Sequence, residues 1–197
     1  MNPSYDQIIY NLSSLIDKLA SMEKSLVLIA MLCILSIPID AQSITVNYEN
    51  KTNTLDITIS TLYDVISGEK GEARDWDLMK LLFHPDAKLI PSSKNNEGIY
   101  KARYMTVQDY IDTSGKWLVD NGFFEKEIHR VTNTFGNIAQ IFSTYESFRS
   151  EKDTEPFMRG INSIQLLDDG ERWWIINIYW TQESKENPIP EEYLPSN

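Results

Sequence analysis

The sequence predicts an α+β domain in which a curved antiparallel sheet wraps around the helices that precede it. Three observations predict this class. Amphipathic segments of helical period come first, four long strand-like segments follow, and an Asp-Gly turn joins the last two strands. Helices followed by a run of neighbouring strands are typical of α+β folds. A hairpin as long and aromatic as the last one also needs helices to cover it.

Three helices are predicted from apolar spacing and end signals. The first covers residues 55–66 and stops at Ser67-Gly68. The second covers residues 74–83, and Pro85 ends it because the residue before a proline avoids helical geometry. Thr106 is an N-cap for the third, Asp109 forms a partial capping box with it, and Asn121-Gly122 closes the helix.

The strands are predicted from runs of apolar and β-branched residues. A short strand at 87–90, a turn at 95–98 and a second short strand at 99–104 separate the second and third helices. The long strands then follow at 123–132, 138–148, 157–166 and 172–180. Asp-Gly between the last two strands indicates a tight two-residue hairpin turn at Asp169-Gly170.

That turn fixes a register, because hairpin register follows loop length. It pairs Arg159 with Trp180 and Ile161 with Ile178. Side chains alternate between the two faces of a strand, so one face is predicted to be concave and to line a pocket. Its residues are Arg159, Ile161, Ser163, Ile176, Ile178 and Trp180. The opposite face would then carry Trp173 and Tyr179, an aromatic surface suited to a homodimer interface.

The chain divides into four predicted parts: an N-terminal extension with a signal peptide at 1–42, a linker at 43–54, the domain at 55–182 and an acidic, Pro-containing tail at 183–197. The apolar run at 26–39 is too short to span a bilayer and is typical of a signal peptide. The 21 residues before Met22 do not fit a signal peptide, whereas a chain whose translation starts at Met22 does; a genuine amphipathic extension is the alternative. We therefore expect a secreted or periplasmic protein without a stable membrane anchor after cleavage.

Composition limits the classes of function. The net charge of -11 argues against nucleic-acid binding, which favours basic surfaces. The only cysteine, Cys33, lies within the apolar run and would be lost on cleavage. No Gly-rich phosphate loop, zinc-ligand spacing or Ser-His-Asp order is present. We therefore expect neither a metal nor a cofactor.

The segment 74–89, a helix ending in an aromatic residue followed by Pro-Asp-Ala and a strand, resembles the second-helix signature of the nuclear transport factor 2-like superfamily, in its SnoaL-like branch. Residues 136–146 and the terminal hairpin resemble its later strands, so the resemblance covers roughly 55–182. It implies a cone-shaped, cystatin-like fold with a pocket between the helices and the concave sheet face, and a homodimer. It implies no particular activity, because that family includes isomerases, dehydratases, cyclases, hydrolases and many non-enzymatic binding proteins. Isomerase chemistry is not supported, because the strand after the second helix lacks the carboxylate of ketosteroid isomerase-like members.

Pocket residues follow from the fold and from the predicted register. Tyr63 and Trp76 are predicted to form pocket wall or core, together with the six residues of the concave face. Arg159 could bind an anionic group or serve as a structural cation beside Trp180. His129 and Tyr145 are candidates for acid–base chemistry, each with a structural role as the alternative.

The function predicted first is the binding of a small, largely apolar ligand without established catalysis. A pocket enzyme of isomerase, dehydratase, cyclase or hydrolase type, using His and Tyr, is one alternative. A dimeric protein-interaction module is the other.

Overall fold

The computed structural model describes residues 18–19, 48 and 50–196. The chain divides into units at 1–46 and 47–197, and of the first unit only the helical residues Lys18 and Leu19 are described. The predicted signal peptide, the start at Met22 and most of the linker therefore lie outside the described residues. None of the described helices is long and apolar enough to cross a membrane.

The second unit is a six-stranded, curved and unclosed sheet with helices on one face, which confirms the predicted fold class. The strands are β1 (Phe83–Lys94), β2 (Tyr100–Ala102), β3 (Phe124–Phe135), β4 (Ile138–Phe148), β5 (Met158–Asp168) and β6 (Trp173–Gln182). Their order across the sheet is β2-β1-β6-β5-β4-β3. Neighbours are antiparallel except β1 and β6, which run parallel.

The helices begin at side-chain caps. Thr54 accepts a hydrogen bond from the backbone of Ile57 and starts α1 (Leu55–Ile66). Asp75 caps α2 (Trp76–Leu82), which is shorter than predicted because the chain is already extended at Phe83. These caps satisfy backbone N–H groups that have no partner within the helix.

The third predicted helix forms in three consecutive pieces: α3 (Val107–Tyr110), a π-helical turn (Ile111–Gly115) and α4 (Lys116–Asn121). Thr106 and Asp109 form a complete capping box at its start. Gly115 ends the π turn, and a β-carbon there would lie 3.1 Å from the indole of Trp76. The turn therefore brings the helix backbone directly against α2.

The final hairpin differs from its predicted register. Asp168 pairs with Trp173, and the loop has four residues because the Asp169 carboxylate accepts hydrogen bonds from the backbone N–H groups of residues 171 and 172, each at 2.9 Å. Aspartate side chains stabilise such turns by replacing backbone partners. A bulge near Ile176 then shifts the pairing by one more residue, so Ile164 lies opposite Ile178 and Asn162 opposite Trp180.

The changed register redistributes residues between the two faces. The inner face, defined as the one that meets the helices, carries Asn162, Ile164 and Leu166 of β5. The outer face carries Arg159, Ile161 and Ser163. The predicted concave face is therefore wrong for β5. The predicted location of Trp173 and Tyr179 on the same face is also wrong, because Trp173 packs against the core and Tyr179 is exposed on the outer face.

The C-terminal tail folds back over the outer face. Ile189 is buried, and the ring of Tyr193 packs 4.9 Å from that of Phe142 on β4. The hydroxyl of Thr144 donates to the carbonyl oxygen of Tyr193 at 2.6 Å. The tail is thus a packed part of the domain.

Candidate functional site: an apolar cavity with a polar floor

A cavity of about 390 Å³ lies between the helices and the inner face of the sheet. Its walls are largely apolar and come from α1, from α4 and from the central strands; Leu62, Leu118, Leu89 and Ile178 are examples. A volume of this order, enclosed by hydrophobic walls with a few polar groups, is typical of small-molecule sites.

The polar part of the cavity wall, called its floor, centres on Glu125 at the start of β3. Its carboxylate accepts hydrogen bonds from the amide of Asn162 at 3.3 Å and from the hydroxyl of Ser147 at 3.2 Å. Burial raises the pKa of Glu125 to about 7, and the two hydrogen bonds offset only part of that effect. Glu125 is therefore a carboxyl group that can hold or release a proton near neutral pH.

A second carboxylate, Glu127, lies behind the floor and is paired with a cation. The guanidinium of Arg130 binds it through two contacts, at 2.8 and 2.5 Å. Asp56 on α1 contacts the same guanidinium at 2.6 Å. These contacts fix the position of Glu127, because two hydrogen bonds between one guanidinium and one carboxylate form a strong charge-assisted pair.

The contact between Ser143 and Glu127 determines the direction of the hydrogen bonds at the floor. The Ser143 hydroxyl donates to Glu127, so its single hydrogen is used there. Tyr63 must then donate to Ser143, over 2.7 Å, and accept from the amide of Asn162, over 3.1 Å. The Tyr63 hydroxyl thus points its hydrogen away from the cavity, and burial raises its pKa.

Tyr145 on β4 lines the same floor and is 1% exposed. Within residues 48 and 50–196, its hydroxyl has no hydrogen-bond partner. Burial raises the pKa of Tyr145, and the nearby Glu125 raises it further, so the hydroxyl keeps its proton. The floor therefore offers a ligand one phenolic donor and one titratable carboxyl.

The mouth of the cavity is formed by Arg149, Trp117 and Phe157. The guanidinium carbon of Arg149 lies 4.5 Å from the ring centre of Trp117 and 4.0 Å from that of Phe157. Both rings are partly exposed. This gives the mouth a single cation held between two aromatic side chains.

Four of the predicted pocket residues line this cavity: Tyr63, Tyr145, Ile178 and Trp180. Trp76 packs against the core beside Gly115 and is not part of the cavity wall. Ile161 and Ser163 lie on the outer face, in a groove beside the tail, and Ile176 is exposed.

Arg159 is also outside the cavity. It contacts Glu183 at 2.8 Å and Glu146 at 3.9 Å, so it is a structural cation that ties the tail to the sheet. His129 pairs with Thr144, whose side chain faces the tail, so it lies on the outer face and away from Tyr145. The structure therefore does not bring the two predicted acid–base candidates together.

Three residues that line the cavity were not predicted from the sequence: Glu125, Asn162 and Arg149. Alternation along β3 places Glu125 and Glu127 on one face, and this was the available signal for an inward carboxylate. Asn162 was predicted on the face away from the pocket, because the hairpin register was wrong. Across the described part of the chain, no group of three His, Cys, Asp or Glu side chains could hold a metal ion.

No protein-family model matches this sequence, and no curated protein matches it. Among solved structures, the chain is similar to a protein of unknown function with a cystatin-like fold from Nostoc punctiforme, at 10% identity and a TM-score of 0.49, over 65% of this chain and 87% of that one. It is also similar to a nuclear transport factor 2-like protein of unknown function from Silicibacter pomeroyi, at 15% identity and a TM-score of 0.46, over 66% and 92%. A third such protein, from Shewanella baltica, shows 15% identity and a TM-score of 0.44, over 65% and 92%.

Proposed function

We propose that this protein is an exported member of the nuclear transport factor 2-like superfamily, of the SnoaL-like branch, that binds a small, largely apolar ligand. The observation that supports the proposal is the cavity, with apolar walls above the floor formed by Glu125 and Tyr145. Apolar burial supplies the affinity, and the two polar groups orient the ligand.

The proposal is tested by filling the cavity. Ser114 lines it from the π-helical turn, whereas its neighbour Thr113 is exposed and does not line it. The neutral fluorescent probe N-phenyl-1-naphthylamine should bind the parent and Thr113→Trp saturably, at one probe per chain. Ser114→Trp should lose most of that binding. Equal binding by both variants would contradict the proposal.

The second candidate is an enzyme that moves a proton in the same cavity. The observation that favours it is the Glu125 carboxyl, whose pKa of about 7 suits a general base or acid near neutral pH. We expect a proton-transfer enzyme to exchange hydrogen for deuterium beside the carbonyl of a cyclic ketone in heavy water. Exchange that persists in Glu125→Gln would exclude Glu125 as the base.

The third candidate is a dimeric interaction module. Exposed Tyr179 and Ile176 favour it, since aromatic side chains are enriched at interfaces. The packed tail leaves only part of the outer face free, which reduces the area available. Light scattering of the chain without its N-terminal segment should report twice the chain mass, and a monomer at all concentrations would rule out the dimer.

Export itself is tested separately by sequencing the N-terminus of the native protein. A chain beginning near Gln42 is the expected result. A chain beginning at Met1 would exclude both the signal peptide and the start at Met22.

A further inference from the structure

Arg149 is the basic residue that lines the cavity, and its surroundings hold it there. It follows β4 directly, and its backbone N–H donates to the carboxylate of Asp153 at 3.0 Å. Gly122, with φ of +71°, packs against the carbonyl oxygen of Arg149 so closely that a β-carbon would collide with it. The two aromatic rings then hold the guanidinium at the mouth.

The charge of Arg149 has no carboxylate partner among residues 48 and 50–196. Arg130 and Arg159, in contrast, are each paired with glutamates. Aromatic rings contact the flat face of a guanidinium, whereas its five N–H donors lie in the plane and point outward from the edge. The donors of Arg149 are therefore free for a ligand at the mouth.

We propose that Arg149 binds the carboxylate of an amphipathic monocarboxylic acid whose hydrocarbon body occupies the cavity. This inference rests on the proposed binding function and names the class of its ligand. The guanidinium edge matches a carboxylate with two parallel hydrogen bonds. A single cation neutralises one charge, whereas a phosphate monoester carries nearly two.

The floor fixes the orientation of this ligand. An ionised Glu125 repels a second carboxylate, so the acid group stays at the mouth and the apolar end enters the cavity. A hydroxyl or carbonyl oxygen near the far end of the ligand would meet the free hydroxyl of Tyr145. The cavity thus favours an acid with an apolar body over a neutral molecule of the same length.

The test compares two probes of the same length, decanoate and decanamide, at about pH 8, where the acid is ionised. Each competes with N-phenyl-1-naphthylamine for the parent protein and for three variants. Arg149→Met removes the cation and keeps an apolar side chain. Arg149→Lys keeps the charge without the planar fork. Arg159→Met is the matched control, because Arg159 lies on the outer face.

The parent and Arg159→Met should bind decanoate at least about tenfold more tightly than decanamide. Arg149→Met should bind the two probes equally, and Arg149→Lys should show an intermediate preference. Equal binding of acid and amide by the parent, or a preference that survives in Arg149→Met, would overturn the inference and leave the binding function standing. Failure of both probes and of the fluorescent probe to bind would overturn both proposals.

Discussion

Tyr145 on β4 lies directly across Gly160 on β5, and only a glycine leaves room for its ring. A β-carbon at position 160 would lie 2.7 Å from the carbon that bears the Tyr145 hydroxyl. Such a distance is shorter than any normal contact, so the tyrosine would have to move. The absence of one side chain on β5 therefore positions the free donor of the cavity floor.

The first prediction follows from this contact. Gly160→Ala should lower the free energy of unfolding by about 1–3 kcal/mol, because it overpacks a buried site. It should also weaken binding of the naphthylamine probe. Urea denaturation measures the stability, and Ser163→Ala on the outer face of the same strand is the control. A variant as stable as the parent would show that Tyr145 can leave its position at no cost.

The second prediction concerns pH. The pKa of Glu125 is about 7 in the folded protein and near 4.5 when unperturbed. Between these values the folded protein keeps a proton that the unfolded chain has released, so stability falls as pH rises through this window. Below about pH 4.5 Glu125 is protonated in both states. Above about pH 7 it is ionised in both, and the folded protein bears the full penalty of a buried charge.

Glu125→Gln removes that penalty. At about pH 8 the variant should be more stable than the parent by up to about 3 kcal/mol, since one pKa unit corresponds to about 1.4 kcal/mol. At about pH 4 the two should be nearly equal. Urea denaturation at both pH values measures the difference in unfolding free energy, with the exposed Glu155→Gln as control. A constant difference across the range would mean that Glu125 titrates normally.

The third prediction concerns the hydrogen bonds of Tyr63. Tyr63→Phe leaves the Asn162 amide without one of its two acceptors and Ser143 without its donor. An unsatisfied buried polar group costs about 1–3 kcal/mol, so the variant should lose that much stability. The comparison is Tyr179→Phe, whose hydroxyl lies on the exposed outer face. Equal melting of the two variants would show that the hydrogen bonds of the Tyr63 hydroxyl contribute nothing to stability.

The fourth prediction concerns the tail. Ile189→Asp places a charge where an apolar side chain is buried against the outer face. We expect a loss of about 2 kcal/mol or more, from the lost burial alone. The exposed Glu192→Gln should have no effect. Limited proteolysis gives a second measurement, because a released tail is cut first; a tail equally protected in both variants would contradict its packing role.

The helices were predicted well because their signals are local. Thr106 and Asp109 form a capping box three residues apart, and nothing distant can change that geometry. The fold class followed from the order of elements along the chain. The positions of β3 to β6 were right to within a few residues for the same reason.

The site was predicted only in part because it depends on register. Asp169 uses its side chain to build a longer loop, and a bulge at Ile176 adds a further shift, neither of which apolar alternation reveals. An odd shift moves every later residue of a strand to the opposite face. Arg159 therefore lies on the outer face and Asn162 on the inner face, the reverse of the prediction. The cation that does line the cavity, Arg149, lies in a loop, where no periodicity applies.

The parallel pairing of β1 with β6 has a consequence for how the protein is made. β1 binds the last strand of the sheet, about ninety residues later in the chain, whereas β3 to β6 pair with their immediate neighbours. Contacts between distant segments form slowly, because a long loop must close first. During synthesis, α1, α2 and β1 leave the ribosome long before their partner exists, and their apolar surfaces stay uncovered until β6 follows. We therefore expect this chain to need protection from aggregation until β6 has been translated.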